Sequence, residues 1–214
     1  CSSRLFMGTV DAALWALDAR TGEPCDDFGE DGRVLVKPDI ALQWPGELQI
    51  TSAPAVADDL VITGSAIADN TRTKAPSGTV HAFDARTGEL RWVFNPVPRD
   101  SSDPARESWQ GDSADAVGHA NVWSTISVDP DRGLLFLPTS SASPDYSGGD
   151  RIGDNRYANS VVALRVATGD VVWHFQTVHH DLWDYDVPSQ PGLYELPGTD
   201  GEESRSVVAV ATKT

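Results

Sequence analysis

The densest chemistry in the chain is "HHDLWDYD", His179 to Asp186, which holds three carboxylates, two imidazoles and two large aromatic rings. A carboxylate held against a substrate can act as a general base. Several side-chain oxygens gathered together can hold a hard divalent cation. The stretch follows the strand pattern "DVVWHFQTV", and the prolines of "VPSQPG" stop regular pairing soon after it. It therefore lies where a strand runs out into a loop, a position that carries function more often than a strand does.

Three other stretches end strands in the same way. "GSAIADNTRT" puts Asp69 and Asn70 next to each other after the apolar run "DLVITGS". Two oxygen-bearing side chains are too few for calcium, which takes six to eight oxygens, and a bare Asp-Asn pair also suits a turn. "HANVWSTISVD" carries Trp123 into a strand, where a lone tryptophan reads as core. The closing "ATKT" sets Lys213 at the end of an apolar strand. The chain contains no GxGxxG, phosphate-binding loop, paired CxxC or HExxH motif.

The elements that must position these residues are repeated. "LWALDARTGEPC" (14–25), "VHAFDARTGELRWVF" (80–94) and "VVALRVATGDVVWHF" (161–175) align with one another. Each reads as an apolar strand, a polar link, Thr-Gly, an acid and a second strand. Gly22, Gly88 and Gly169 supply the positive φ of a tight turn. Asp18 and Asp84 bond the turn backbone in two copies; Arg165 replaces them in the third, whose link must close differently. Trp92 and Trp173 recur at the same interval after Thr-Gly. No long amphipathic helix is evident. Repeated short strands with glycine turns and a recurring tryptophan predict an all-β chain, part of a β-propeller, with about three blades present and long loops inserted between strands. Three blades cannot close a ring, and both ends of the chain look cut, so residues 1–214 are expected to be a segment of one larger domain.

The bulk numbers narrow the partners. The chain has 214 residues, 40% hydrophobic, and a formal charge of −16. A polyanion repels nucleic acid and anionic lipid. No apolar run reaches the roughly 18 to 20 residues that span a bilayer. Cys1 and Cys25 are the two cysteines. They leave three readings open: a disulfide formed in an oxidising compartment, two free buried thiols, or a lipid-modified Cys1.

Taken together, the four stretches resemble the quinoprotein dehydrogenases that use pyrroloquinoline quinone (PQQ), above all the membrane-bound, glucose-oxidising branch. "QTVHHDLWDYD" resembles the active-site segment of that branch. "NVWSTISVDPDRGLLFLPTSSASPD" resembles a family signature, with Val128 standing where the family prefers Tyr. The likeness runs over the whole chain and implies an eight-bladed propeller in which Trp92 and Trp173 dock neighbouring blades. It also implies roles. Asp184 would be the general base, and Trp123 would form one wall of the PQQ slot. Lys213 would sit by the quinone oxygens, and Thr51 by a PQQ carboxylate. Asp69, with Asn70 and Ser143, would hold Ca2+ or Mg2+, and His179 and His180 would contact substrate.

The activity implied is oxidation of a sugar's anomeric hydroxyl, with electrons passed to ubiquinone. The place implied is the periplasmic side of the bacterial inner membrane, with anchoring by segments outside this chain. The isolated 214 residues are expected to be inactive. A PQQ-dependent polyol or alcohol dehydrogenase and a non-catalytic propeller scaffold lipoprotein are the alternatives.

Overall fold

The computed structural model describes residues 1–198 and 203–214. β1 (Arg4–Gly8), β2 (Ala13–Asp18) and β3 (Arg33–Leu35) form a three-stranded antiparallel sheet in that order. β4 (Leu48–Gln49) pairs with β7 (Ala66–Ile67) in a small ribbon. β5 (Ala55–Ala57), β6 (Leu60–Thr63), β8 (Val80–Asp84) and β9 (Leu90–Phe94) make a four-stranded meander. β10 (Ser127–Asp129), β11 (Leu134–Pro138), β12 (Ser160–Arg165) and β13 (Val171–Gln176) make a second. β14 (Gly192–Leu196) and β15 (Arg205–Ala209) close as a hairpin. Among the described residues, helix is limited to a 3-10 turn at Pro104–Ser108 and one α-turn at Ser113–Ala116. Four-stranded antiparallel meanders are propeller blades.

The sheets stack face to face in chain order. Inner strands β6 and β12 are buried along nearly their whole length, so they read as continuous apolar runs rather than alternating ones. One core cluster joins Ile62, Val80, Ala82, Trp92 and Phe94 of the first meander to Leu135, Leu137, Val162 and Leu164 of the second. Another joins Leu14, Ala16 and Phe28 to Val61 and Phe83. A third sets Phe136, Val161 and Ala163 against Val208 of the hairpin. The alanine common to the repeats (Ala16, Ala82, Ala163) is fully buried each time, where a larger side chain would hold the layers apart.

The repeat is visible bond by bond. The Gly22, Gly88 and Gly169 amides donate to the carbonyls of Asp18, Asp84 and Arg165 at 2.8, 2.8 and 2.9 Å, all with positive φ at the glycine. Asp18 and Asp84 carboxylates also accept two turn amides each. With Arg165 in that place, the third turn has no carboxylate to accept its amides; the Thr168 hydroxyl still accepts from Asp170 N at 3.3 Å, as its counterparts do, and donates to the Asp170 carboxylate at 2.7 Å.

The first copy departs from its expected second strand. Pro24, which has no amide hydrogen, leaves a single bridge to Leu17, and pairing resumes only at β3. Cys25 is tied to Cys1 in a disulfide with Cα atoms 5.6 Å apart, which settles that open reading.

The joint between the two meanders is made by Trp92. Its indole N–H donates to the Val166 carbonyl at 2.8 Å, across the interface. A Cβ on Gly169 would lie 2.7 Å from the Trp92 ring, so only glycine lets the ring close over that turn.

Candidate active site

The loops that leave the inner ends of the strands cross one another closely. The Asn121 amide donates to the Ser65 carbonyl at 3.0 Å, and Ser140 N donates to the Asn121 carbonyl at 3.0 Å. Asn159 N donates to the Ser140 carbonyl at 2.9 Å, and Val187 N to the Thr139 carbonyl at 3.2 Å. This lacing brings stretches distant in sequence to one end of the stacked sheets.

Asp181 ties down the loop that opened the sequence reading. Its carboxylate is buried and accepts from Ser141, from Asn159 at 2.9 Å, and from the Trp183 and Tyr185 amides at 2.9 and 2.6 Å. Arg151, also buried, donates to the Asp181 and Pro144 carbonyls and so clamps this loop to the next one. Asp184 is then held with φ of 58°, a left-handed conformation that a non-glycine residue keeps only where its surroundings enforce it.

Around Asp184 lies a charged network. Lys213 Nζ donates to the Asp184 carbonyl at 2.7 Å and to its Oδ2 at 3.2 Å, and lies 3.6 Å from Asp186 Oδ2. Asp186 accepts from Ser141 N at 2.7 Å and from the Trp123 indole at 3.0 Å. Burial pushes the Asp186 carboxyl up, and the Asp184 charge adds to it. The Ser141 amide, Lys213 and Trp123 oppose this without cancelling it, and the group titrates at about 6. Partial burial works against the Lys213 charge, but Asp186 and Asp184 outweigh it and hold the ammonium above its usual value. The Asp184 charge also raises the Tyr146 phenol.

A second cluster adjoins the first. Asp69, His119 and Asp145 bring donor atoms within 4.8 Å of one another. His119 Nδ1 lies 3.3 Å from Asp145 Oδ1. Asp69 stands at the solvent rim, yet its carboxyl is pushed up by its walls and by Asp145, with Asp184 adding to the rise and His119 and Lys213 opposing it. Asp69 thus feels both clusters. Trp123, Asp184 and Lys213 are linked through Asp186 and the Lys213 ammonium, and Asp69 senses Asp184 and Lys213 through space.

The other candidates are placed differently. The Ser143 hydroxyl is buried and held by backbone, accepting from Gly118 N at 2.8 Å and donating to the Thr73 carbonyl at 2.6 Å, which leaves one lone pair on its oxygen. Asn70 sits in a left-handed turn, and neither it nor Thr51 makes a side-chain hydrogen bond among the described residues. His180 Nδ1 lies 2.9 Å from the Gly153 carbonyl, a bond to backbone, while His179 is exposed. Sequence reasoning missed His119 and Asp145. Both stood in stretches already singled out, "HANVW" and "SASPD", but nothing local revealed that they meet.

Stacked antiparallel meanders locked by tryptophan, with a loop-built charged site at one end, are blades of a β-propeller. Residues 1–214 match the family model described as PQQ: glucose/ethanol/alcohol dehydrogenase, β-propeller domain, and the chain belongs to that family. It is 39% identical over 219 residues to quinoprotein glucose dehydrogenase of Gluconobacter oxydans (strain 621H), covering 100% of this chain and 26% of that protein. It is equally 39% identical over 219 residues to quinate/shikimate dehydrogenase (quinone) of Acinetobacter baylyi, with the same coverage. Among solved structures, the quinohemoprotein alcohol dehydrogenase ADHIIG from Pseudomonas putida HK5 superposes with a TM-score of 0.80 at 32% identity, covering 98% of this chain and 30% of that one. The chain therefore spans about a quarter of the length of the curated relatives it matches.

Proposed function

We propose that this chain is the catalytic-loop segment of a PQQ-dependent glucose dehydrogenase, which oxidises the anomeric hydroxyl of an aldose to the lactone. The observation that carries this reading is the linked set Trp123–Asp186–Lys213–Asp184, with Asp69 feeling the same charges. The residues fit the groups the family implies. Trp123 is half-buried and fixed at its N–H edge, as a wall for a planar ring requires, and Lys213 keeps an ammonium at the site. Asp69 and its neighbours are donors of the kind a divalent ion accepts.

When bound, PQQ would accept a hydride, with Ca2+ or Mg2+ polarising its carbonyl as a Lewis acid. The chain's own residues do the rest. Asp184 Oδ2 takes the proton from the substrate hydroxyl as general base. Lys213, whose ammonium lies 3.2 Å from that oxygen, would turn its positive charge to the quinone oxygens, where negative charge develops. Asp186 holds the Trp123 indole so that the wall does not turn; Thr51 would hold a PQQ carboxylate, and His179 and His180 would contact substrate. Electrons then pass to ubiquinone on the periplasmic side of the inner membrane, to which segments outside this chain anchor the protein.

The equal likeness to a quinate/shikimate dehydrogenase supports a second reading, a PQQ enzyme acting on another polyol. The test uses the full-length protein carrying Asp184→Asn. PQQ should still bind, seen in its absorption spectrum, while glucose-dependent dye reduction falls by at least a thousandfold. Turnover like wild type would remove Asp184 as the base. Wild-type turnover with quinate and none with glucose would install the second reading.

A further inference from the structure

We propose that Asp181 is the positioning residue of the general base: its buried carboxylate holds the two backbone amides on either side of Asp184 and so fixes where the Asp184 carboxylate stands. The inference rests on the reading of Asp184 as the base, and extends it to a buried residue that the reading does not name.

Apolar burial does not shape this loop. Leu182 is 40% exposed and Trp183 is 69% exposed, so neither anchors residues 182–185 in the core. Polar bonds do so instead. The Asp181 carboxylate accepts from the Trp183 amide at 2.9 Å and from the Tyr185 amide at 2.6 Å, the two amides that flank Asp184. Asn159 Nδ2 donates to the same carboxylate and to the Tyr185 carbonyl, both at 2.9 Å, and the Ser141 hydroxyl donates to the carboxylate as well. Four donors thus meet on one side chain that is 1% exposed. A carboxylate, which only accepts, meets that demand; an amide, with two donors of its own, cannot.

The anchor is itself fixed. The Arg151 guanidinium, also buried, donates to the Asp181 carbonyl, to the Pro144 carbonyl at 3.2 Å and to Asn155 Oδ1 at 3.2 Å. Asn159 sits at φ of 48°, a left-handed conformation that Asn tolerates better than most residues. Between the two anchored amides, Asp184 sits at φ of 58°. Its carboxylate is 31% exposed and bonded by a flexible ammonium, Lys213, at 3.2 Å, so its direction depends on the backbone that carries it. Release of that backbone from Asp181 would free the base to leave the strained conformation.

The test compares Asp181→Asn with wild type in the full-length protein loaded with PQQ and metal. Asn keeps the shape of Asp but sets an NH2 group where donors already point. The PQQ absorption spectrum and the glucose KM should stay as in wild type, while kcat falls about a hundredfold, the cost of misplacing a reacting group by about 1 Å. The isotope effect on kcat with glucose deuterated at C1 should rise, because the chemical step becomes the slow one. A merely structural role would lower the amount of active enzyme and leave the isotope effect where it was. The double variant Asp181→Asn with Asp184→Asn should be no slower than Asp184→Asn alone, since no base remains to be positioned. Should Asp181→Asn not fold, Ser141→Ala removes one donor of the four and should lower kcat about three- to tenfold with the same rise in isotope effect. A wild-type kcat, an unchanged isotope effect or losses that add in the double variant would each overturn the proposal. Asp184→Asn measured alone keeps the two claims apart. Wild-type turnover there removes the base itself, whereas wild-type turnover in Asp181→Asn alone removes only the positioning.

Discussion

Trp92 and Trp123 each place an indole N–H against one partner, and the partners differ in kind. Trp92 is 9% exposed and donates to the neutral Val166 carbonyl at 2.8 Å, with its ring closed over Gly169. Trp123 is half-buried and donates to the Asp186 carboxylate at 3.0 Å, inside a ring of charge. The first region is a joint, stabilised by removal of apolar area from water and indifferent to protons. The second is a site, where buried and half-buried polar groups are held in place by loops and their charge states matter. Stability should therefore depend mainly on the joint, and pH dependence mainly on the site.

Deleting the joint should have the largest effect. Trp92→Ala removes a ring shared by two sheets and orphans the Val166 carbonyl, so it should cost about 3–5 kcal/mol in denaturant unfolding, with little dependence on pH between 4 and 7. A cost below about 1 kcal/mol would show that the meanders are held by something other than this ring.

The site should produce the next effect, with a sign set by Asp186. An unfolded aspartate titrates near 3.8, and the folded Asp186 at about 6. Between those values the folded state keeps a proton that the unfolded state has lost. The contribution is therefore fully present below pH 3.8 and is lost as pH rises through 6, by at most about 3 kcal/mol. In the cofactor-free protein, Asp186→Asn should flatten the fall in stability across that window, measured as unfolding midpoints against pH. An unchanged slope would mean that the charge coupling around Trp123 lies elsewhere.

The two regions were unequally legible in the sequence. Thr-Gly turns act within a few residues, and the Trp92 and Trp173 spacing repeats, so the blades could be read from local pattern. The second strand expected in the first copy was misread, because Pro24 breaks it and a strand further along the chain, β3, takes its place beside β2. At the site, Asp69, Trp123, Asp184 and Lys213 were named through resemblance to a family; the fold joins the last three through Asp186, and Asp69 senses Asp184 and Lys213 through space. Composition offered no route to His119 or Asp145, because they meet only through the crossing of segments 75–78, 118–121 and 140–143. Ser143 was chosen by likeness to a threonine, and no local pattern showed that its hydroxyl would be held between the Gly118 amide and the Thr73 carbonyl.

Trp173 sharpens the comparison with the smallest expected effect. It occupies the Trp92 place in the next repeat, opposite Ala163 across the same bulge that sets Trp92 opposite Ala82. Yet it is 38% exposed, with Phe136 at 5.7 Å and no Thr-Gly turn over it among the described residues. Burial of a docking ring is decided by the neighbouring sheet and not by its own. Trp173→Ala in the 214-residue chain should therefore cost about 1 kcal/mol or less, since much of the ring is already in water. In the full-length protein, a further blade is expected to cover it, and the same substitution should approach the cost of Trp92→Ala. Equal, small costs in both contexts would mean that the repeat carries tryptophans of two kinds, only one of which joins sheets.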